Sequence, residues 1–511
     1  MVTVMKTPGV YVVERNAFPN SVVEVATAVP AFVGHTQTAV NKDKSLLNVP
    51  RLITSLAEYH SYFGGGPAIS FGLSTEAPDG GVLPSASAAG QDYYLTRSGQ
   101  VWHLYYSMML FFQNGGGRCY VVSVGGYDDS PDADRLMAGI DSLIKEQEPT
   151  MIVIPDAVLL GDTGVCAQVQ KAALDQCRKT QSRFAILDVY DGYKERADDP
   201  DCVADFRNAL GVNNLDYGAA YYPWLDTTVI QDSALGYKNF YDDGRATLQQ
   251  LITAELGLGG DEMSPKAEQQ SELVGKLDGA SWTDQEQTDL TTNEALLNKS
   301  LIAMSPAFNA LLGQIKESVN LLPPSGVIAG VYTAVDNSRG VWKAPANVSL
   351  NGVLKAAVNI SHDEQEDLNV TPQGKSVNAI RSFIGEGTLV WGARTLDGNS
   401  LDWRYIQVRR TMIMLEQSIK LASKAYVFEA NTANTWVTMK SMIRNFLTGI
   451  WKRGGLAGAV PDDAFSVHVG LGETMTSEDV LEGILRITVL VAVTRPAEFI
   501  EITFEQQMQK S

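Results

Sequence analysis

Short, nearly continuous apolar runs recur through the first half of the chain, at Ala31-Phe-Val-Gly34, Cys119-Tyr-Val-Val-Ser-Val124, Met151-Ile-Val-Ile-Pro155, Arg183-Phe-Ala-Ile-Leu-Asp188 and Tyr217-Gly-Ala-Ala-Tyr-Tyr222. Helix-like stretches separate them, notably residues 133–145 and 162–180. Strands apolar on both faces and alternating with helices predict a parallel sheet covered on both sides. Val327-Ile-Ala-Gly-Val-Tyr332 has the same composition and is expected to add a later strand to that sheet.

Two further patterns follow. Residues 231–320 turn rich in Gln, Glu, Leu and Ala, with helices expected at 246–256, 265–277 and 293–319 between breakers at 257–261 and 321–326. This reads as a helical insertion into the α/β body. Beyond residue 381, Val408, Met412, Leu415, Ile419 and Ala422 recur at helical spacing, as do Trp436, Met439, Ile443, Phe446 and Ile450, with Gly454-Gly455 as a stop. Leu485, Ile487, Val489, Val491 and Val493 then alternate along a strand up to Arg495-Pro496. Ile500, Ile502 and Phe504 alternate against Glu501, Thr503 and Glu505, an amphipathic strand that can pair within its own domain or on a neighbour's exposed edge. At the other terminus Val10, Tyr11, Val12 and Val13 form a β-rich run after Pro8-Gly9, and Ser21-Val-Val-Glu-Val25 a second.

The fold class expected is α/β plus α+β. The order is an extended N-terminal arm (1–28), a central α/β domain (29–230), the helical insertion (231–320), a return to the central domain (321–350), a C-terminal α+β domain (351–495) and a terminal arm strand (496–511). A chain of 511 residues supports this division, since single cores seldom exceed roughly 250–300 residues.

Lys plus Arg total 40 against 59 Asp plus Glu, a net charge of −19, which opposes general binding to nucleic acid or to anionic lipid. Against that background a basic row stands out: Lys440, Arg444 and Lys452 lie at multiples of four, with Arg453 beside them, away from the apolar stripe of the second helix. The row either faces an acidic partner or is a solvated face with cations near the negative end of the helix dipole. The four cysteines lack CxxC spacing and predict reduced thiols, with no metal site. No signal peptide and no membrane-length apolar run is read, so neither general secretory export nor membrane insertion is expected.

Enzymatic motifs are weak. There is no GxSxG, and His35, His60, His103, His362 and His468 sit in no motif with a nucleophile. Gln373-Gly-Lys-Ser376 imitates the end of a phosphate loop, but Asn369 stands where glycine is required and Pro372 interrupts it. The acidic run His362-Asp-Glu-Gln-Glu-Asp367 lacks EF-hand spacing and reads as a solvated loop. No catalytic residue, metal site or cofactor is expected; the rival class is a hydrolase using the central α/β domain.

The block Phe383-Ile-Gly-Glu-Gly-Thr-Leu-Val-Trp-Gly-Ala-Arg-Thr-Leu396, followed by Trp403-Arg-Tyr-Ile-Gln-Val-Arg-Arg-Thr-Met-Ile-Met-Leu-Glu-Gln-Ser-Ile-Lys420, resembles the C-terminal signature of contractile tail sheath proteins. These occur in phage tails, tail-like bacteriocins and extracellular injection systems of the antifeeding-prophage and Photorhabdus virulence-cassette type. Asp336-Asn-Ser-Arg-Gly-Val-Trp-Lys-Ala-Pro-Ala-Asn347 and the Pro8-Gly-Val-Tyr start are similar to the same family. The resemblance implies a subtilisin-like central fold without catalytic residues, an outward-facing insertion and a C-terminal domain lining a lumen. It implies partners as well: the chain itself in a helical stack of six-fold rings, an inner tube protein, baseplate and terminal cap proteins, and sister sheath proteins. It also implies assembly in the bacterial cytoplasm into a phage tail or a released phage-tail-like particle. By the same resemblance Lys440, Arg444, Lys452 and Arg453 are expected to contact the tube. Val10, Tyr11, Val12, Val13, Phe499, Ile500, Ile502 and Phe504 are expected in arms that link subunits.

Overall fold

The computed structural model describes residues 21–502 apart from 79–80, 261–262, 279–281, 284–286 and 288. The chain forms two compact units. The larger comprises residues 28–338 and 345–406; the smaller, among the described residues, comprises 21–27, 339–344 and 407–502. Residues 351–406, expected to open the C-terminal domain, therefore belong to the larger unit.

A nine-stranded sheet organises the larger unit. Its strands are β1 (Pro30–Gly34), β2 (Arg51–Ile53), β3 (Cys119–Ser123), β4 (Met151–Val153), β5 (Phe184–Asp188), β6 (Gly218–Tyr222), β7 (Val348–Ser349), β8 (Asn378–Phe383) and β9 (Gly387–Val390), in the spatial order β7-β9-β8-β6-β5-β4-β1-β3-β2. The pairs joining β3, β1, β4, β5, β6 and β8 are parallel, and β2, β9 and β7 close the edges antiparallel. The five apolar runs read from the sequence are the five central strands, buried at every position. Burial on both faces is what removes the alternation from them. Helices α2 (Ala133–Ser142) and α3 (Thr163–Thr180) begin where Asp132 and Asp162 accept hydrogen bonds from the backbone N–H of Arg135 (3.0 Å) and Val165 (2.9 Å).

Val327-Ile-Ala-Gly-Val-Tyr332 is not a strand. It is the middle of α4 (Ser325–Arg339), whose first eleven residues include no exposed side chain. A helix buried all round has no polar face to reveal its period, so a short apolar run does not separate it from a strand. Its first turn is fixed by the buried carboxylate of Asp188 at the end of β5, which accepts from the Ser325 N–H (2.8 Å) and the Ser325 hydroxyl (2.5 Å). Close approach to helix α1 (Leu104–Gln113) requires glycine: a Cβ at Gly326 would lie 2.7 Å from the Ser107 backbone oxygen, and one at Gly330 would lie 2.7 Å from the Phe111 backbone oxygen. At the end of β1 a second buried carboxylate, Asp156, gathers N–H bonds from His35 (2.7 Å), His103 (2.8 Å) and Leu104 (3.1 Å), tying the strand to α1.

The insertion contains helices at Asp242–Leu256, Pro265–Gly275, Leu290–Met304 and Pro306–Asn320. The single helix expected over 293–319 is thus two. Ser305 caps the second by accepting from the Phe308 N–H (3.0 Å), and Pro306 occupies its first position. Phe308, Leu311 and Ile315 are fully buried and join the larger unit's core.

Candidate functional site

The smaller unit is built on helices α5 (Ile406–Ser423) and α6 (Ala433–Lys452) and on a hairpin of β10 (Phe465–His468) and β11 (Thr488–Val491). Met414, Leu415, Met442, Ile443, Leu447, Ile450, Phe465 and Val467 are buried in its core, with Ile487, Val489, Val491 and Val493 packed against them. This core takes up Met412, Leu415, Ile419 and Ala422 of the α5 stripe, Ile443, Phe446 and Ile450 of the α6 stripe, and the alternation from Ile487 to Val493. Gly454 ends α6 at φ +85°, a conformation that favours glycine.

The expected basic row lies along α6, and in-chain carboxylates meet three of its four members. Lys440 is 4.0 Å from Glu473, Arg444 is 3.1 Å from Asp462, and Arg453 pairs with Glu24. Arg444 also lies 5.8 Å from the Phe465 ring centre and Arg453 5.0 Å from that of Trp342. Glu473 takes a second contact from His468 Nδ1 at 2.7 Å, and this hydrogen bond lowers the carboxyl below its ordinary range. Lys452 is exposed and has no ion pair among the described residues. The face is zwitterionic rather than uniformly basic. All three pairs are solvent-accessible, and such pairs contribute about 0.2–1 kcal/mol each, so they separate at little cost.

Sequence periodicity missed the role of residues 21–27. Ser21–Val25, expected as a strand, has no strand pairing; instead Val22 and Val25 pack against the core of the smaller unit. A groove of about 480 Å³ runs beside this segment along α6. Nothing in the sequence short of the Glu24–Arg453 charge match signals that docking.

The termini are only partly described. Val10, Tyr11, Val12, Val13 and Phe504 lie outside the described residues. Phe499, Ile500 and Ile502 carry no strand pairing and are 75%, 78% and 69% exposed. Along Phe465–His468 and Thr488–Val491 each strand pairs with the other, and among the described residues no third strand joins this sheet.

Several chemistry-bearing residues of the larger unit make structural contacts. Ser325 donates to Asp188 and both are buried; burial raises that carboxyl to about 7, while the two Ser325 hydrogen bonds oppose the rise. His35 stacks on Trp102 with ring centres 3.8 Å apart, and burial lowers His103 to about 4. At the phosphate-loop imitation the Lys375 ammonium donates to the Arg207 carbonyl and Ser376 to that of Asn369 (2.7 Å), an internal turn. Among the described residues no cluster of three metal-ligating side chains occurs, all four cysteines are buried free thiols, and no helix is long and apolar enough to cross a membrane.

Comparison with known proteins gives a consistent picture. Residues 399–507 match the family model for the phage tail sheath C-terminal domain. The tail sheath protein of Vibrio phage KVP40 is 29% identical over 138 residues, 26% of this chain and 20% of that protein. The chain thus spans about a fifth of the length of the first curated relatives it matches. Over nearly full length it is similar to the anti-feeding prophage helical sheath in its contracted state (28% identity, 99% of this chain and 100% of that one, TM-score 0.57). It is also similar to the PVC sheath complex of an extracellular contractile injection system in its contracted state (25% identity, 99% of each chain, TM-score 0.59).

Proposed function

We propose that this chain is the structural subunit of a contractile sheath, polymerising helically around an inner tube and shortening to drive that tube through a target envelope. The observation that carries this reading is the likeness to two contracted sheaths across 99% of the chain at 25–28% identity. On this reading the larger unit is a subtilisin-like α/β body without a catalytic role, the 231–320 insertion faces outward and the smaller unit lines the lumen. The partners are further copies in six-fold rings, an inner tube protein, baseplate and cap proteins and sister sheath proteins. Assembly takes place in the bacterial cytoplasm, and the particle is a phage tail or an extracellular relative.

The two-stranded sheet of β10 and β11 supports the arm hypothesis, because its backbone edges offer donors and acceptors to an added strand. Terminal segments with exposed apolar residues, such as Phe499, Ile500 and Ile502, suit that role in a neighbour. Backbone pairing through arms keeps subunits connected while the globular bodies rotate into new packing, a rigid-body rearrangement. Energy stored at assembly then drives shortening without nucleotide.

Negative-stain electron microscopy tests this: hollow striated tubes from the chain alone, narrower around a core when the neighbouring tube protein is co-expressed, are the expected result. Uniform small particles in both conditions would remove the reading. Changing Lys440, Arg444 and Lys452 together to Glu tests the tube contact of α6. Among the described residues only Lys440 and Arg444 lose an ion pair, each exposed, which limits the stability loss to about 1–2 kcal/mol, so a folded subunit that fails to assemble on the tube is expected, and normal extended particles would refute the contact.

A further inference from the structure

Residues 21–27 are anchored on the smaller unit at several points. Val22 and Val25 pack against its core, the Val25 N–H donates to the Ser418 hydroxyl (3.0 Å), and Arg410 donates to the Thr27 carbonyl (3.0 Å). Between these anchors Val23 is 77% exposed while the Glu24 carboxylate reaches Arg453. Arg453 is thereby held between an anion and the Trp342 ring, both from its own chain. The groove alongside is lined by Ser21, Val22, Glu24, Met442, Phe446 and Arg453 among others, an apolar channel with one cation and the carboxylate that covers it.

We propose that residues 21–25 form an autoinhibitory strap. Glu24 occupies on Arg453 the place of an acidic partner's carboxylate, and the basic end of α6 opens to such a partner only when the strap lifts. This rests on the reading of α6 as a contact face. Of the three carboxylates that neutralise the row, Glu473 and Asp462 follow α6 in the chain within the folded body of the unit, whereas Glu24 is carried by the terminal segment. An exposed pair is weak enough to exchange. The Trp342 face keeps the guanidinium oriented once Glu24 has left. The subunit alone thus presents a zwitterionic helix, and displacement of residues 21–25 frees the Arg453 guanidinium, next in the chain to Lys452, together with the Met442 and Phe446 side of the groove that the segment walls.

The test uses the full chain, a hexaglutamate peptide at low salt as the acidic probe, and backbone hydrogen exchange over residues 21–27. Glu24→Gln is expected to tighten peptide binding about two- to five-fold and to speed exchange over 21–27. Arg453→Gln is expected to cancel that gain, so that the double variant binds no better than Arg453→Gln alone. Unchanged affinity and exchange in Glu24→Gln would overturn the strap. Faster exchange with unchanged affinity would overturn it too, since the segment would then mask nothing. Lys452→Glu leaves the strap's residues intact: if particles carrying it together with Lys440→Glu and Arg444→Glu assemble normally, the contact reading falls while the exchange result on Glu24→Gln still stands or falls by itself.

Discussion

Asp188→Asn should make the larger unit more resistant to alkaline pH. The Asp188 carboxyl lies between a central strand and the first turn of α4, buried, and its folded-state value of about 7 lies above the ~3.9 of a free aspartate. The folded state therefore binds more protons than the unfolded state across that window, so this group's contribution is fully present below about pH 4 and is lost as pH rises through about 7. At about 1.4 kcal/mol per unit, the whole window is worth roughly 4 kcal/mol, of which about 2–3 kcal/mol falls between pH ~5 and ~8. Asparagine keeps an acceptor for the Ser325 N–H and does not titrate. With about 2.1 cal/mol/K of unfolding entropy per residue and roughly 370 residues in the unit, 1 kcal/mol shifts the midpoint by about 1.3 °C. Scanning calorimetry of the full chain should then show the Asn variant gaining about 3–4 °C on the wild type between pH ~5 and ~8. A difference between the two proteins that does not change with pH would refute the argument, because it would mean that Asp188 does not titrate in the folded state.

Other variants probe packing and assembly. Gly330→Val should destabilise the larger unit by about 1–3 kcal/mol and lower its thermal midpoint, because its Cβ would lie 2.7 Å from the Phe111 backbone oxygen and neither helix can retreat within a buried contact; a melting curve like that of wild type would show that the helices can separate freely. Deleting residues 497–511 should leave the subunit's stability within about 1 kcal/mol, since Phe499, Ile500 and Ile502 bury little in their own chain, yet reduce sheath yield and length by electron microscopy. Unchanged sheaths would mean that this segment does not join subunits. Ile443→Ala, at a fully buried site, should cost about 2–5 kcal/mol and be seen as loss of the smaller unit's transition in calorimetry or hydrogen exchange; a change below about 1 kcal/mol would remove Ile443 from the core.

Much of this molecule was legible in its residues because burial leaves a periodic trace. The five apolar runs became the five central strands, the stretches 133–145 and 162–180 became helices, and the stripe through Met439, Ile443 and Ile450 gave the inner face of α6. The reading failed where burial is complete or where charge must find its partner in space. Val327–Tyr332 has no polar side to fix a period of two or of 3.6, and what made it a helix was a capping carboxylate 137 positions away and two glycines fitted against α1. The break at Ser305-Pro306 was a local signal, a capping serine before a proline, that the continuous helical pattern overshadowed. Lys440, Arg444, Lys452 and Arg453 were visible as a row, but their neutralisation by Glu473, Asp462 and Glu24 was not, since Glu24 lies 429 positions from Arg453. Local sequence fixes periodicity and caps because those depend on neighbours within a turn or two. Which carboxylate meets which cation, and which apolar run is wrapped on every side, depends on chain-distant surfaces that only the tertiary structure brings together.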